Sequence, residues 1–214
     1  MSALLPLLWR GALVTAQVTL LAAALAALLA LAAAAARQAP WRALRAGGAA
    51  YVAVFRGSSL LVQLFWLFYV LPLPPFDLRL APLTVGVLGL GLNGGAYGAE
   101  LLRGALAAVP RGQHEAAIAL SLPPLQRWWR IVLPQALRHA LPPATTLLIE
   151  LLKGSALVSL VGMADLSMRA GQLAEATFET GPVYALVLLG YFVMAQAIHG
   201  LMRLAERRLA RGQA

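Results

Sequence analysis

Two ionisable side chains stand three residues apart in an otherwise apolar stretch, Leu147-Leu-Ile-Glu150-Leu-Leu-Lys153. In a helix this i, i+3 spacing places both on one face. A carboxylate and an ammonium there can each meet an opposite charge on a bound molecule. They can equally form a mutual pair between subunits, or Lys153 can snorkel to a boundary. Glu100 is placed like them, within reach of Arg103 one helical turn on. Other chemistry is missing. The chain has no cysteine, and His114, His139 and His199 lie too far apart for ligand spacing, so no metal or cofactor is expected. Ser155 follows Lys153 by two residues, which points them to different helix faces and removes a Ser–Lys dyad. No carboxylate pair at catalytic spacing appears, so no enzyme activity is expected.

The elements that must carry these charges follow from composition. Of 214 residues, 61% are hydrophobic and 12% charged, with a mean hydropathy of +0.77. A soluble domain carries roughly a quarter of its residues as charges. Runs of about 20 apolar residues cross a hydrocarbon core of ~30 Å, and they do not alternate as barrel strands would. The reading is an all-helical integral membrane protein with five spans in one domain over residues 1–214: about 7–36, 51–73, 82–106, 141–163 and 183–204. The first run is too long for a signal peptide, whose apolar core is about 7–15 residues. Span two is expected to end at Pro72, Pro74 and Pro75, and span four to be entered through Pro142 and Pro143. Span three is rich in glycine, which lets backbones approach closely. A charge costs about 2.5–3.5 kcal/mol near the bilayer centre, so Glu150 and Lys153 are not expected to face lipid unpaired.

The formal charge of +9 reports topology instead of nucleic acid. Ten arginines follow spans one, three and five, whereas Arg10, Arg79 and Arg169 alone lie on the other side. That places the amino terminus outside and the carboxyl terminus in the cytoplasm. Arg56 reads as a positive-inside anchor, and Gln63 and Asn93 as interhelical hydrogen-bonding groups.

The cytoplasmic segment at about 109–138 is too polar to span and too apolar for a solvated linker. A short helix is expected over Gln113–Leu122, stopped by Pro123 and Pro124, with Trp128 and Trp129 beyond it at the membrane boundary. A short helix held at the surface suits a groove on a soluble partner. Glu115-Ala116-Ala117 followed by Ile131-Val-Leu-Pro134 resembles the EAA loop of ABC importer permeases. Blocks at Tyr51–Gln63, Ala96–Ala105, Arg111–Gln113 and Leu151–Ser159 resemble the branch that imports polar amino acids. The resemblance covers about residues 11–208. Where that family usually has glycine after the EAA triplet this chain has Ser121; Thr145, Thr146 and Gly154 also depart from its pattern.

The resemblance implies a type I ABC importer permease in the bacterial inner membrane, paired with a second copy or a paralogue among membrane lipid. Glu115, Ala116, Ala117 and Ser121 would contact a separate ATP-binding subunit, and an extracytoplasmic solute-binding protein would deliver the amino acid. Glu100, Glu150 and Lys153 would line the substrate pathway. Related zwitterions such as opines or ectoine are an alternative cargo, and an ion-coupled stand-alone transporter or channel is the rival class.

Overall fold

A computed structural model describes residues 5–211, among which every regular element is helical and none is a strand. Residues 1–4 and 212–214 of the expected single domain lie outside the described residues. The first helix, α1 (Leu5–Gln38), is built mainly of leucine and alanine, which propagate a helix well. Thr15, Val18, Ala22, Ala26, Ala30 and Ala33 make its covered face, repeating every three or four residues.

The second expected span is not one continuous helix. Helix α2 (Arg42–Gly57) ends at an extended Ser58, and α3 (Leu60–Phe65), prolonged by a π-turn at Trp66–Val70, leaves at 102° to it. No proline causes this break; side chains take over the hydrogen bonding. Ser58 Oγ donates to the Val54 carbonyl at 2.7 Å, and Gln63 Nε2 donates to the Phe55 carbonyl at 3.1 Å and to Ser58 Oγ at 2.8 Å. Asn93 Nδ2 reaches the same Phe55 carbonyl from another helix at 2.9 Å, the interhelical role expected of it. Interrupted helices survive at membrane depth only when freed backbone groups find such partners.

Helix α4 (Pro82–Ala107) begins at Pro82 as expected and lies at the centre. Val85 and Leu90 are fully buried against Val18 and Ala22 of α1, Leu64 of α3 and Val158 beyond. Its glycines let α1 lie close. A Cβ at Gly95 would stand 2.7 Å from Leu29 Cβ and 2.6 Å from Tyr51 Oη.

After the short α5 (Arg111–Ala119), one helical run continues from α6 (Pro124–Arg127) through a π-turn at Trp128–Val132 into α7 (Leu133–Gly154) and a 3₁₀ turn at Ser155–Val161. Pro142 and Pro143 therefore lie inside α7 and not at its entrance. They deprive the Arg138 and His139 carbonyls of their usual donors. Helix formation on both sides outweighs that loss, and the Thr145 hydroxyl donates to the Leu141 carbonyl at 3.0 Å. Helix α8 (Leu166–Thr177) was not anticipated. Asp165 caps it, accepting from the Met168 N–H at 2.8 Å, and Leu166, Ala170 and Leu173 pack against Leu8 of α1 and Val183 of α9 (Thr180–Arg211).

Among the described residues, Leu5–Gln38, Pro124–Val161 and Thr180–Leu209 are long and apolar enough to cross a membrane, and the bent α2–α3 pair adds a fourth crossing if it is one span. Helix α4, diluted by glycine and Asn93, falls short of that apolarity although it is the most enclosed.

Candidate functional site

Helix α5 stands between the end of α4 and the start of α6, tied to the body by Gln135 Nε2, which donates to Gln113 Oε1 at 3.3 Å. It runs over Arg111–Ala119, two residues earlier at its start than expected. Ala117 is 1% exposed and seats the helix, while Glu115, Ala116 and Ser121 face outward. Ile118 and Leu120, 59% and 72% exposed, share that outer surface. Sequence reasoning passed over them, although an apolar side chain amid Glu115, Gln113 and His114 was the available signal.

Ser121 takes a left-handed φ of 55°. The Leu122 N–H donates to the Ala117 carbonyl at 3.1 Å and the Ser121 N–H to the Ile118 carbonyl at 2.8 Å, the paired bonds of a Schellman ending. Glycine is the usual residue there because a Cβ costs about 1–2 kcal/mol in this region. Replacing Ser121 with glycine is therefore expected to raise stability by about 1 kcal/mol, read as an upward shift of the thermal unfolding midpoint. Ser121→Val should lower it.

On α7, Thr146, Glu150 and Lys153 are exposed and follow one another at four and three residues, whereas Thr145, Leu151 and Leu152 face the interior. The structure thus brings Glu150 and Lys153 to one face. It does not pair them: among the described residues both ion pairs belong to Glu100. Glu100 accepts from Arg37 Nη1 of α1 and, at 2.7 Å, from Arg103 Nε. It makes no bond to Glu150 or Lys153, so the three candidate pathway carboxylate and ammonium groups do not form one cluster.

Arg56 closes α2, with its guanidinium 5.2 Å from the centre of the Tyr97 ring on α4. Trp128 and Trp129 are 41% and 60% exposed and meet edge to face in the π-turn before α7. The Asp165 carboxyl is fully enclosed where α1 and α8 meet, and burial lifts it above the ordinary carboxylate range. No group of three His, Asp or Glu side chains that could hold a metal occurs among the described residues.

Comparison with known proteins gives a consistent result. The model of the family described as "Binding-protein-dependent transport system inner membrane component" matches residues 26–211. The chain is 47% identical to the "Probable amino-acid ABC transporter permease protein y4tF" of Sinorhizobium fredii, over 75% of this chain and 69% of that protein. It is 33% identical to the L-cystine transport system permease protein TcyB of Bacillus subtilis, over 96% of this chain and 88% of that one. A crystal structure of an amino acid ABC transporter with histidines superposes with a TM-score of 0.89 at 33% identity, covering 97% of this chain and 96% of that one.

Proposed function

Because the chain belongs to the family of binding-protein-dependent transport system inner membrane components, we propose that it is the permease subunit of an ATP-driven importer of polar amino acids. The observation that carries this reading is the exposed surface of α5, which combines Glu115 and Ala116 with two bare apolar side chains outside the bundle. Such a helix suits insertion into a groove on a separate ATPase subunit. Glu115 would meet a basic residue there, Ala116 and Ser121 would allow close approach, and Ala117 would seat the helix from behind.

In this reading α1, the bent α2–α3 pair, α4, the Pro124–Val161 run and α9 make five crossings, with the amino terminus outside. Helix α4 needs little apolarity of its own because its neighbours shield it. A second permease chain covers the α7 face of Thr146, Glu150 and Lys153. An exposed carboxylate and ammonium are too costly to leave against lipid, so that face lines the cargo path. Glu100, already neutralised by two arginines, serves at the cytoplasmic end and does not touch cargo. An extracytoplasmic binding protein supplies the amino acid. The chain itself performs no chemistry: ATP-driven closure of the ATPases moves α5 and switches the bundle between two states.

The test is uptake into liposomes by the permease with its ATPase and binding protein, using labelled polar amino acids. ATP-dependent uptake is expected. Lys153→Met and Glu150→Gln should each raise the KM for cargo about 10- to 100-fold, the worth of one charge-assisted hydrogen bond. Uptake by the chain without any ATPase, driven by an ion gradient, would refute the proposal.

A further inference from the structure

A cavity of about 240 Å³ opens between the ends of α1 and α4, where the polar Arg37, Gln38 and Arg103 join Ala34, Ala99 and Leu106 in its lining. It shares Ala34, Gln38 and Leu106 with an apolar cavity of about 210 Å³ that reaches Trp128. Leu31 and Leu102 connect that one to a third, of about 300 Å³, which extends to Ala23. The three form one groove along α1. From Arg37 back to Ala23 it measures about 21 Å at ~1.5 Å per residue, somewhat more than the ~15 Å of one leaflet's hydrocarbon.

Charge distinguishes the rim from the floor. Each oxygen of Glu100 is already taken, by Arg37 Nη1 and Arg103 Nε. Two arginines against one carboxylate leave a net positive charge. Arg103, whose side chain is 60% exposed, commits only its Nε among the described residues, which leaves both terminal nitrogens to donate elsewhere. Arg42 and Arg45 follow α1 directly on the same side, and the exposed Trp41 lies beside them. Tryptophan at this level marks the headgroup boundary, and basic pockets between helices on the cytoplasmic side bind anionic headgroups.

We infer that this groove is a binding site for an anionic phospholipid of the cytoplasmic leaflet, its phosphate on Arg103 and Arg37 and one acyl chain along α1 and α4. The inference rests on the orientation in the proposed function. A free anion would make no use of an apolar channel the depth of a leaflet. An apolar helix of a second copy would not answer the charge at its mouth. The bound lipid clamps α1 to the last turn of α4, immediately before α5.

The test is native mass spectrometry of the complete transporter released from membranes of phosphatidylglycerol and phosphatidylcholine at one to three. The wild type is expected to retain phosphatidylglycerol over phosphatidylcholine. Arg103→Gln should reduce that retention about fivefold, the worth of one arginine at an anionic surface. Ala34→Leu, which fills the groove but leaves both arginines, should reduce it as well. Equal retention of the two lipids overturns the inference, as does full retention in either variant. Displacement by millimolar inorganic phosphate alone would assign the rim to a free anion, and crosslinking of a cysteine at Ala34 to a second permease chain would assign the groove to protein. Both also overturn it. ATP-driven uptake by the same preparation is scored separately, so failure of lipid retention and failure of the transport reading are distinguishable.

Discussion

Glu115→Arg is expected to reduce ATP-driven uptake about a hundredfold while the permease still folds and inserts. Glu115 is exposed and no hydrogen bond or ion pair holds it among the described residues, so its replacement disturbs nothing in this chain. In the proposed complex it faces a cation in the ATPase groove. Truncating one partner of a desolvated charge pair costs about 2–5 kcal/mol, and reversal adds repulsion. Even the lower end of that range exceeds a tenfold loss. Uptake with purified ATPase and co-purification of the two subunits measure the effect. Unchanged uptake with an intact complex would remove Glu115 from the docking surface. Ile118 and Leu120 would then be the residues to alter.

Gly95→Ala should lower the unfolding midpoint by about 10 °C, whereas Gly104→Ala on the same helix should leave it nearly unchanged. The difference is geometric. A Cβ at Gly95 would meet Leu29 Cβ at 2.7 Å, Tyr51 Oη at 2.6 Å and the Ala26 carbonyl at 3.3 Å, while one at Gly104 meets nothing within 4 Å. Leu29 Cβ cannot swing aside without moving α1. Tyr51 could, but it donates to the Leu92 carbonyl at 2.7 Å and would surrender that bond. Overpacking costs about 1–3 kcal/mol and a lost hydrogen bond about 1. In a chain of this size each kcal/mol moves the midpoint by roughly 2–4 °C. Thermal unfolding in one detergent, both variants side by side, decides the matter.

Local signals were legible where one residue type governs. Pro82 announced the start of α4, and Glu150 and Lys153 did reach a common face, whereas Pro123 and Pro124 open α6 and the short helix before them has already ended at Ala119 through the left-handed Ser121. The family pattern directed attention to Ser121, and its left-handed backbone explains why glycine is the usual occupant. What escaped depends on distant partners. The bend after Gly57 relies on Asn93 and Gln63 meeting one carbonyl, and nothing in Gly57-Ser58-Ser59 announces it. Pro142 and Pro143 read as a boundary because the rule for proline is local, whereas α7 is held by its neighbours on both sides. Helix α8 is short, and Asp165 alone was too weak a cue for its cap. The Arg37–Glu100 contact joins residues 63 apart, and no local spacing announces it.

The uninterrupted run from Pro124 to Val161 has a mechanical corollary. At ~1.5 Å per residue it is a rod of about 57 Å, with the tryptophan pair near one end and Lys153 towards the other. Helix α4 lies along most of that length, with Leu106 against Val132 and Ala136 at one end and Gly94 and Gly86 against Leu151 and Val158 at the other, so in the proposed transporter a displacement at the tryptophans would carry the two helices together. If the proposed coupling holds, glycines in place of His139 and Ala140 would soften the run between the tryptophans and Lys153, and ATP hydrolysis by the complex would proceed with less uptake per ATP.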